Sequence, residues 1–354
     1  MVGLVSSGRA ARSAGSGPSN GPALQRLTVE NTDWKAVKSA RVTSGGNQGG
    51  AAILDDGSTP VVVKAGETYG PESVIAAHLI NSVGRKRGMS GDSAKQISAP
   101  KARLAAIGEP ERIAEKMGEQ AVRPADLDEV EFAKERYDSF IVRLSQPGFT
   151  IIFGYAGGKD VSEITRSQPE DTADNGPLRA FGSPDFLRSL GQSSAVDIYT
   201  GNRDRLFSVN LGNLRMEADS MSAYFIDNIH EKGFSQMHSS TTLALSAFKN
   251  WARSTMVKSA AAKKYEDLAE QAITGLSEQL KSKLPADGVR SFAQGLQEGI
   301  DELLQMLKPE DVFKMVSPFG DQANVTFVSM CARAMVLGGR DADEAWKAAS
   351  ALGK

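Results

Sequence analysis

Residues Asp197–Asn228 read DIYTGNRDRLFSVNLGNLRMEADSMSAYFIDN. Two short polar clusters, GNRDR and LGN, precede an apolar run that stops at Asp227. Loops are often acidic for solubility alone. Metal-dependent phosphoryl transfer instead needs a base and two oxygen ligands for Mg2+ held close together. Asp204 suits the base, since a carboxylate set against a hydroxyl directs it and accepts its proton. The plainer reading of Asp204 is a turn residue with a local hydrogen bond. Arg205 beside it would steady the loop or a phosphate. Asn213 offers the neutral oxygen that accompanies a carboxylate around Mg2+. Asn210 competes for that role, and Gly212 makes a strand-entry turn the alternative. Asp227 follows AYFI, so a strand carries it inward, where a carboxylate is costly without a cation or donors.

Upstream, KSARVT, AAIL and PVVVKAG predict three short antiparallel strands. Asp56-Gly57 is a hairpin signal between the last two. The loop between the first two holds Gly45, Gly46, Gly49 and Gly50, whose backbone N–H groups can cradle phosphate. It is not a Walker loop, because no GK[ST] ends it and a strand follows. Lys64 ends VVVK, and its stem would emerge from a buried strand to reach phosphates as a fixed positive charge. A helix is expected from Pro71 to Gly84, with Val74, Ile75, Ala77, His78 and Ile80 on one buried face. Glu72 in its first turn is a candidate partner for Lys64. Glu67 is the rival, and the helix dipole alone would explain an acid there.

Residues 109–137 are charged and read as helical. SFIVRLS and GFTIIFGYAGG read as two strands joined through Gln146-Pro147-Gly148. After Asp160 the pattern turns helical, and FLRSLGQSSAVDIYTG leads as a helix into the opening stretch. AAAKKYEDLAEQAITGLSEQLKSKL and VRSFAQGLQEGIDELLQML carry apolar residues at helical spacing, and DADEAWKAASAL makes a last helix.

The chain has 354 residues, 40% of them hydrophobic, enough for one large or two modest domains. A formal charge of -2 gives no support to a nucleic-acid or membrane-surface role. No apolar run approaches the roughly 20 residues of a membrane helix. The single cysteine, Cys331, excludes an internal disulfide and reads as a buried small hydrophobe. His78, His230 and His238 share no metal-ligand spacing, and no GxSxG is present. Residues 1–27 are rich in Ser, Gly, Ala and Arg, lack acids before Glu30, and read as a disordered leader.

In order, these parts are a Gly-rich hairpin, a strand lysine, a helix glutamate, strands ending at a glycine pair, then D…N…D. That order, with GNRDR, a later GN and FIDN in place of HRD and DFG, resembles the phosphatidylinositol 3/4-kinase-like branch of atypical protein kinases. It looks most like the actin-fragmin kinase catalytic domain and related bacterial kinase-like effectors. The resemblance covers about residues 40–238. It implies an α+β, two-lobed kinase-like fold, with an antiparallel-sheet N-lobe over 28–158 and a mostly helical C-lobe over 159–354. It implies ATP and Mg2+ as cofactors, with Lys64 on the phosphates, Glu72 as its partner and Asp204 as base. Asn213 and Asp227 would be metal ligands, and Phe153 to Gly157, including Tyr155, the adenine-binding hinge. A protein substrate is the expected partner, with no nucleic acid and no membrane insertion. The expected location is the cytoplasm, or a host cell entered by bacterial secretion. AMP transfer, lipid phosphorylation and a non-catalytic pseudokinase are the alternatives on the same scaffold. The spacing from Asp204 to Asn213 is longer than in conventional kinases.

Overall fold

The computed structural model describes residues 32–43, 51–57, 60–66, 71–84, 97–119, 127–146, 148–167, 176–208, 210–216, 222–226 and 241–353. The leader, the glycine loop with Gly45, Gly46, Gly49 and Gly50, and Glu67, Asp227, His230 and His238 lie outside them.

The N-terminal part is a sheet of β1 (Ser39–Val42), β2 (Ala52–Asp55) and β3 (Val61–Gly66), as the sequence predicts. Gly57 turns the second hairpin with φ +88. Next come α1 (Pro71–Ser82), β4 (Ile97–Ser98), β5 (Ala102–Leu104), α2 (Glu109–Glu119), α3 (Leu127–Leu144) and β6 (Phe149–Gly154). The five-stranded antiparallel sheet has the order β1-β2-β3-β6-β5. SFIVRLS is not the expected strand but the last turns of α3. Phe140 and Leu144, four apart, are buried while Val142 between them is exposed. A short apolar run fits both periods, and packing on the sheet selects the helical one.

The strand VVVKAG alternates. Val61, Val63 and Ala65 join Leu54, Ile152, Ile113, Met117, Phe140 and Leu144 in a core between the sheet and α2 and α3. The opposite face carries Val62 and Lys64, paired in register with Phe153 and Ile151. Glu109 closes the outer core. It accepts from Trp34 Nε1 at 2.9 Å, from Ala106 N–H at 2.8 Å and from both terminal nitrogens of Arg103 at 2.7 Å. Burial raises its pKa, but these donors outweigh it and hold the carboxyl below the usual range.

The rest of the chain is mostly helical. It begins with β7 (Lys159–Asp160), α4 (Val161–Ser167) and α5 (Pro184–Thr200), then the hairpin β8 (Leu214–Met216) and β9 (Ala223–Phe225). These strands form a second sheet, β4-β9-β8-β7, in which β4 runs parallel to β9. Seven helices follow: α6 (Thr241–Ala252), α7 (Thr255–Ala261), α8 (Tyr265–Leu280), α9 (Gly288–Met306), α10 (Pro309–Val316), α11 (Ala323–Leu337) and α12 (Ala342–Leu352). The expected helix through AAAKKYEDL is broken at Lys263, which adopts φ +58. The helix α1 packs into this larger core rather than the sheet's outer core, through Ile75, Ala76, Ala77, Leu79 and Ile80. His78, expected on the buried face, is exposed.

Glycines let α5 and α9 approach closely. A Cβ on Gly295 would lie 2.0 Å from the Arg188 carbonyl oxygen, and one on Gly299 2.4 Å from that of Gln192. On the other side, a Cβ on Gly191 would lie 2.2 Å from the Phe292 oxygen. The two helices cannot keep this separation with any larger residue. Gly295→Ala should therefore cost roughly 1–3 kcal/mol by overpacking, seen as a lower urea midpoint with an unchanged slope. Gly118→Ala in α2, where no atom lies within 4 Å of the added carbon, should be neutral or slightly stabilising.

Candidate functional site

The site begins at the end of α5. Ser183 caps the helix start, accepting from Phe186 N–H, and Pro184 takes the first helical position. Gly201 closes the helix in the left-handed region at φ +82, its N–H donating to the Asp197 carbonyl at 2.8 Å. From there Asn202 turns inward, Arg203 and Asp204 outward, and Arg205 and Leu206 inward again. Asn202 is buried, and its Oδ1 accepts from the Asp204 N–H at 3.0 Å. Asp204 itself points to solvent, whereas Arg205 is fully buried.

Arg205 settles the choice the sequence left open, because a guanidinium with no exposure steadies the loop and does not meet a phosphate. Its NH1 donates to both carboxylate oxygens of Asp197, at 2.7 and 2.8 Å. Its NH2 donates to the Ile226 carbonyl at 3.0 Å, and the cation lies 3.9 Å from the Phe225 ring centroid. One side chain thus ties α5, the Asp204 loop and the end of β9. Burial pushes the Asp197 carboxyl up to about 6, against the pull of the Arg205 charge and its hydrogen bonds.

Both candidate asparagines reach Asp204. Asn210 Nδ2 donates to Asp204 Oδ1 at 3.0 Å, while its own Oδ1 accepts from Gly212 N–H at 3.2 Å. Asn213 Nδ2 donates to the Asp204 carbonyl at 2.7 Å and to Oδ2 at 3.1 Å. The amide of Asn210 is thus used at both ends inside the loop. That of Asn213 is engaged through Nδ2, and its main-chain carbonyl accepts from Ile226 N–H at 3.1 Å, directly before Asp227. No group of three or more His, Cys, Asp or Glu suited to a metal occurs among the described residues.

On the sheet, the Lys64 ammonium lies 5.8 Å from the Phe153 ring centroid, on the face lined by Ile151, Val62, Ala102 and Leu104. Tyr155 follows in the connection to β7. There Arg215 from β8 stacks 5.5 Å from its ring and donates to the Gly158 carbonyl. Glu72 departs from expectation, because it forms no ion pair with Lys64. It is buried in the first turn of α1, and among the described residues neither carboxylate oxygen has a well-formed hydrogen bond. Burial pushes it up to about 7, and its own backbone N–H and then the charge of Arg333 only partly offset this. Cys331 is buried as expected, its thiol pushed up to about 12.

Three supporting residues were missed by the sequence reading: Asp197, Trp251 and Arg333. Trp251 Nε1 donates to the Ile198 carbonyl at 2.9 Å. Arg333 NH1 donates to the carbonyls of Tyr199 at 3.0 Å and Thr200 at 2.8 Å. The available signal was a lone charge inside an apolar run, SSAVDIY for Asp197 and SMCARAMVL for Arg333. No protein-family model matches the chain, and no curated protein matches it.

Two consequences are measurable. Asp197→Asn leaves a buried guanidinium without a counter-charge and should cost about 3–5 kcal/mol. The double change Asp197→Asn with Arg205→Met should recover much of that loss in the same denaturation series. For Glu72, the folded value near 7 exceeds the ordinary 4.5, so the folded protein holds a proton that the unfolded chain releases. Stability then falls as pH rises from about 4.5 to 7. Glu72→Gln should flatten that slope and add about 3 kcal/mol at pH 8, read from urea midpoints at pH 5 and 8.

Proposed function

We propose that this chain is an atypical kinase of two-lobed, protein kinase-like fold, transferring the γ-phosphoryl group of ATP to a protein hydroxyl. The observation that carries the reading is the clamp on Asp204. Its carboxylate accepts from Asn210 and Asn213, its loop hangs from the C-terminus of α5, and Asn213 pairs through its backbone with the residue before Asp227. The strand order β1-β2-β3-β6-β5, a lysine on the inner face of its central strand, and a helical body carrying the loop agree with the kinase resemblance.

Asp204 would orient the acceptor hydroxyl and take its proton, and the two asparagine amides would keep that carboxylate in one rotamer. Asn213 through its side-chain oxygen, with Asp227, would hold Mg2+, a hard cation that suits amide and carboxylate oxygens and supplies neutralisation of the triphosphate charge when bound. Lys64 would bind phosphate as a fixed positive charge on a rigid strand. Phe153, Ile151 and Val62 form the apolar surface against which a purine ring would lie, with the Tyr155 to Gly158 segment beside it.

The test uses Mg2+ and ATP labelled at either the α or the γ phosphate, with the protein alone and with generic protein acceptors. Label from γ should reach protein. Asp204→Asn should lower that rate at least 100-fold while leaving nucleotide binding within a few-fold of the parent. Label from α would instead mean AMP transfer. Bound nucleotide without transfer of either label would mean a binding module.

A further inference from the structure

We infer that Arg333, carried by α11 from more than a hundred residues downstream, is a positioning residue for Asp204. On this inference the C-terminal helices form the footing of the reacting loop and are not a separate recognition module. The inference rests on the phosphotransferase reading of Asp204 given above.

A helix end leaves its last four carbonyls without intrahelical partners. In α5 those of Asp197 and Ile198 accept from the Gly201 N–H, and that of Ile198 also from Trp251. Those of Tyr199 and Thr200 accept from Arg333 NH1. The same guanidinium sits 4.8 Å from the Trp251 ring centroid. Between indole and guanidinium the chain makes its exit at Gly201. A Cβ there would lie 2.9 Å from the Trp251 ring and 3.8 Å from Arg333 NH1. Only two residues, Asn202 and Arg203, separate this exit from Asp204. The direction of the last α5 carbonyls therefore sets where the carboxylate points.

The support is rigid. Helix α11 is buried on nearly every side, from Thr326 through Leu337, and Tyr199 Oη also binds it by donating to the Met330 carbonyl at 3.1 Å. Burial lowers the Arg333 pKa to about 10, so the cation persists at neutral pH. A fully buried guanidinium is a costly way to fill space, since an apolar side chain of similar volume often serves stability as well or better. A nitrogen fixed at the end of a planar group, as NH1 is here, reaches two successive carbonyls and gives direction that an apolar side chain cannot.

The helix α1 meets the same point. Gly84 at its far end lies against Gln192, and Glu72, about 18 Å along the helix, feels the charge of Arg333 at the C-terminal end of α5. Helices α5, α6 and α11 thus converge on one cation, with the first turn of α1 near enough to feel its charge.

The experiment compares the full-length parent with Arg333→Lys and Trp251→Phe. It measures amide hydrogen exchange, and kcat and KM for ATP in γ-phosphoryl transfer. Lysine keeps the charge and loses the planar group that holds NH1 between the two carbonyls. Exchange over residues 202–208 should quicken at least tenfold in Arg333→Lys, with α8 and α9 unchanged. Transfer should lose at least tenfold in kcat with KM for ATP within twofold. Trp251→Phe, which removes the donor to Ile198, should move the loop in the same direction by less and serves where the lysine variant folds poorly. Unchanged exchange over 202–208 in folded variants, or faster exchange spread evenly along the chain, overturns the inference. Absence of transfer in the parent overturns the phosphotransferase reading instead, while exchange still reports whether Arg333 holds the loop.

Discussion

The buried pair between Asp197 and Arg205 is the constraint on which the candidate site depends. Two charges removed from water cost several kcal/mol each, and their attraction offsets this only with close geometry and further hydrogen bonds. Here Arg205 meets both carboxylate oxygens within 2.8 Å, binds the Ile226 carbonyl and lies over Phe225. The chain turns at this point, with Arg203 and Asp204 outward and Arg205 and Leu206 inward, so the exposed carboxylate stands directly beside the buried cation.

That geometry needs a fixed anchor for α5, and the helical body supplies it in two ways. At mid-helix, Gly191, Gly295 and Gly299 bring α9 within backbone contact, and Glu298 accepts from Arg188 and Gln192 across the crossing. At the C-terminal end, Trp251 and Arg333 take carbonyls that water would otherwise solvate. One device sets the distance of α5 from its neighbour. The other sets the direction in which its chain leaves. Neither uses a residue that meets a substrate, although both act on the residue proposed to do so.

Strand and helix periods made much of this fold legible. VVVKAG, with Asp56-Gly57 before it, gave the central hairpin, and Pro71 with Gly84 bounded α1 correctly. The run SFIVRLS misled because three successive β-branched or aromatic residues favour a strand, while burial of Phe140 and Leu144 on the sheet favoured the helix. At the site, Asp204, Asn210 and Asn213 were recognisable because local polar clusters carry them. Arg333 was not, because its partners are carbonyls more than a hundred residues upstream, and no local pattern records that a helix end will need a donor. Glu72 was legible as an acid in the first turn of α1 but not in its surroundings, since pairing with Lys64 depends on how α1 is turned against the sheet.

The turn of α1 follows from what holds it. Asn81 makes two hydrogen bonds with the backbone of Ala99, just beyond β4, and Gly84 N–H donates to Glu302 on α9. Since β4 pairs with β9, α1 is tied to the strand that precedes Asp227 and to the helix that packs on α5. Its apolar residues then complete the larger core, and its first turn is carried toward Arg333, taking Glu72 with it. Burial there raises the Glu72 carboxyl from the ordinary 4.5 to about 7 and so favours its neutral form. The glutamate thus belongs to the body that supports Asp204, whereas the lysine belongs to the sheet above the opposite wall. The two halves of the proposed site are joined through the packing of α1 on Ala102 and Leu104, and not through an ion pair between Lys64 and Glu72.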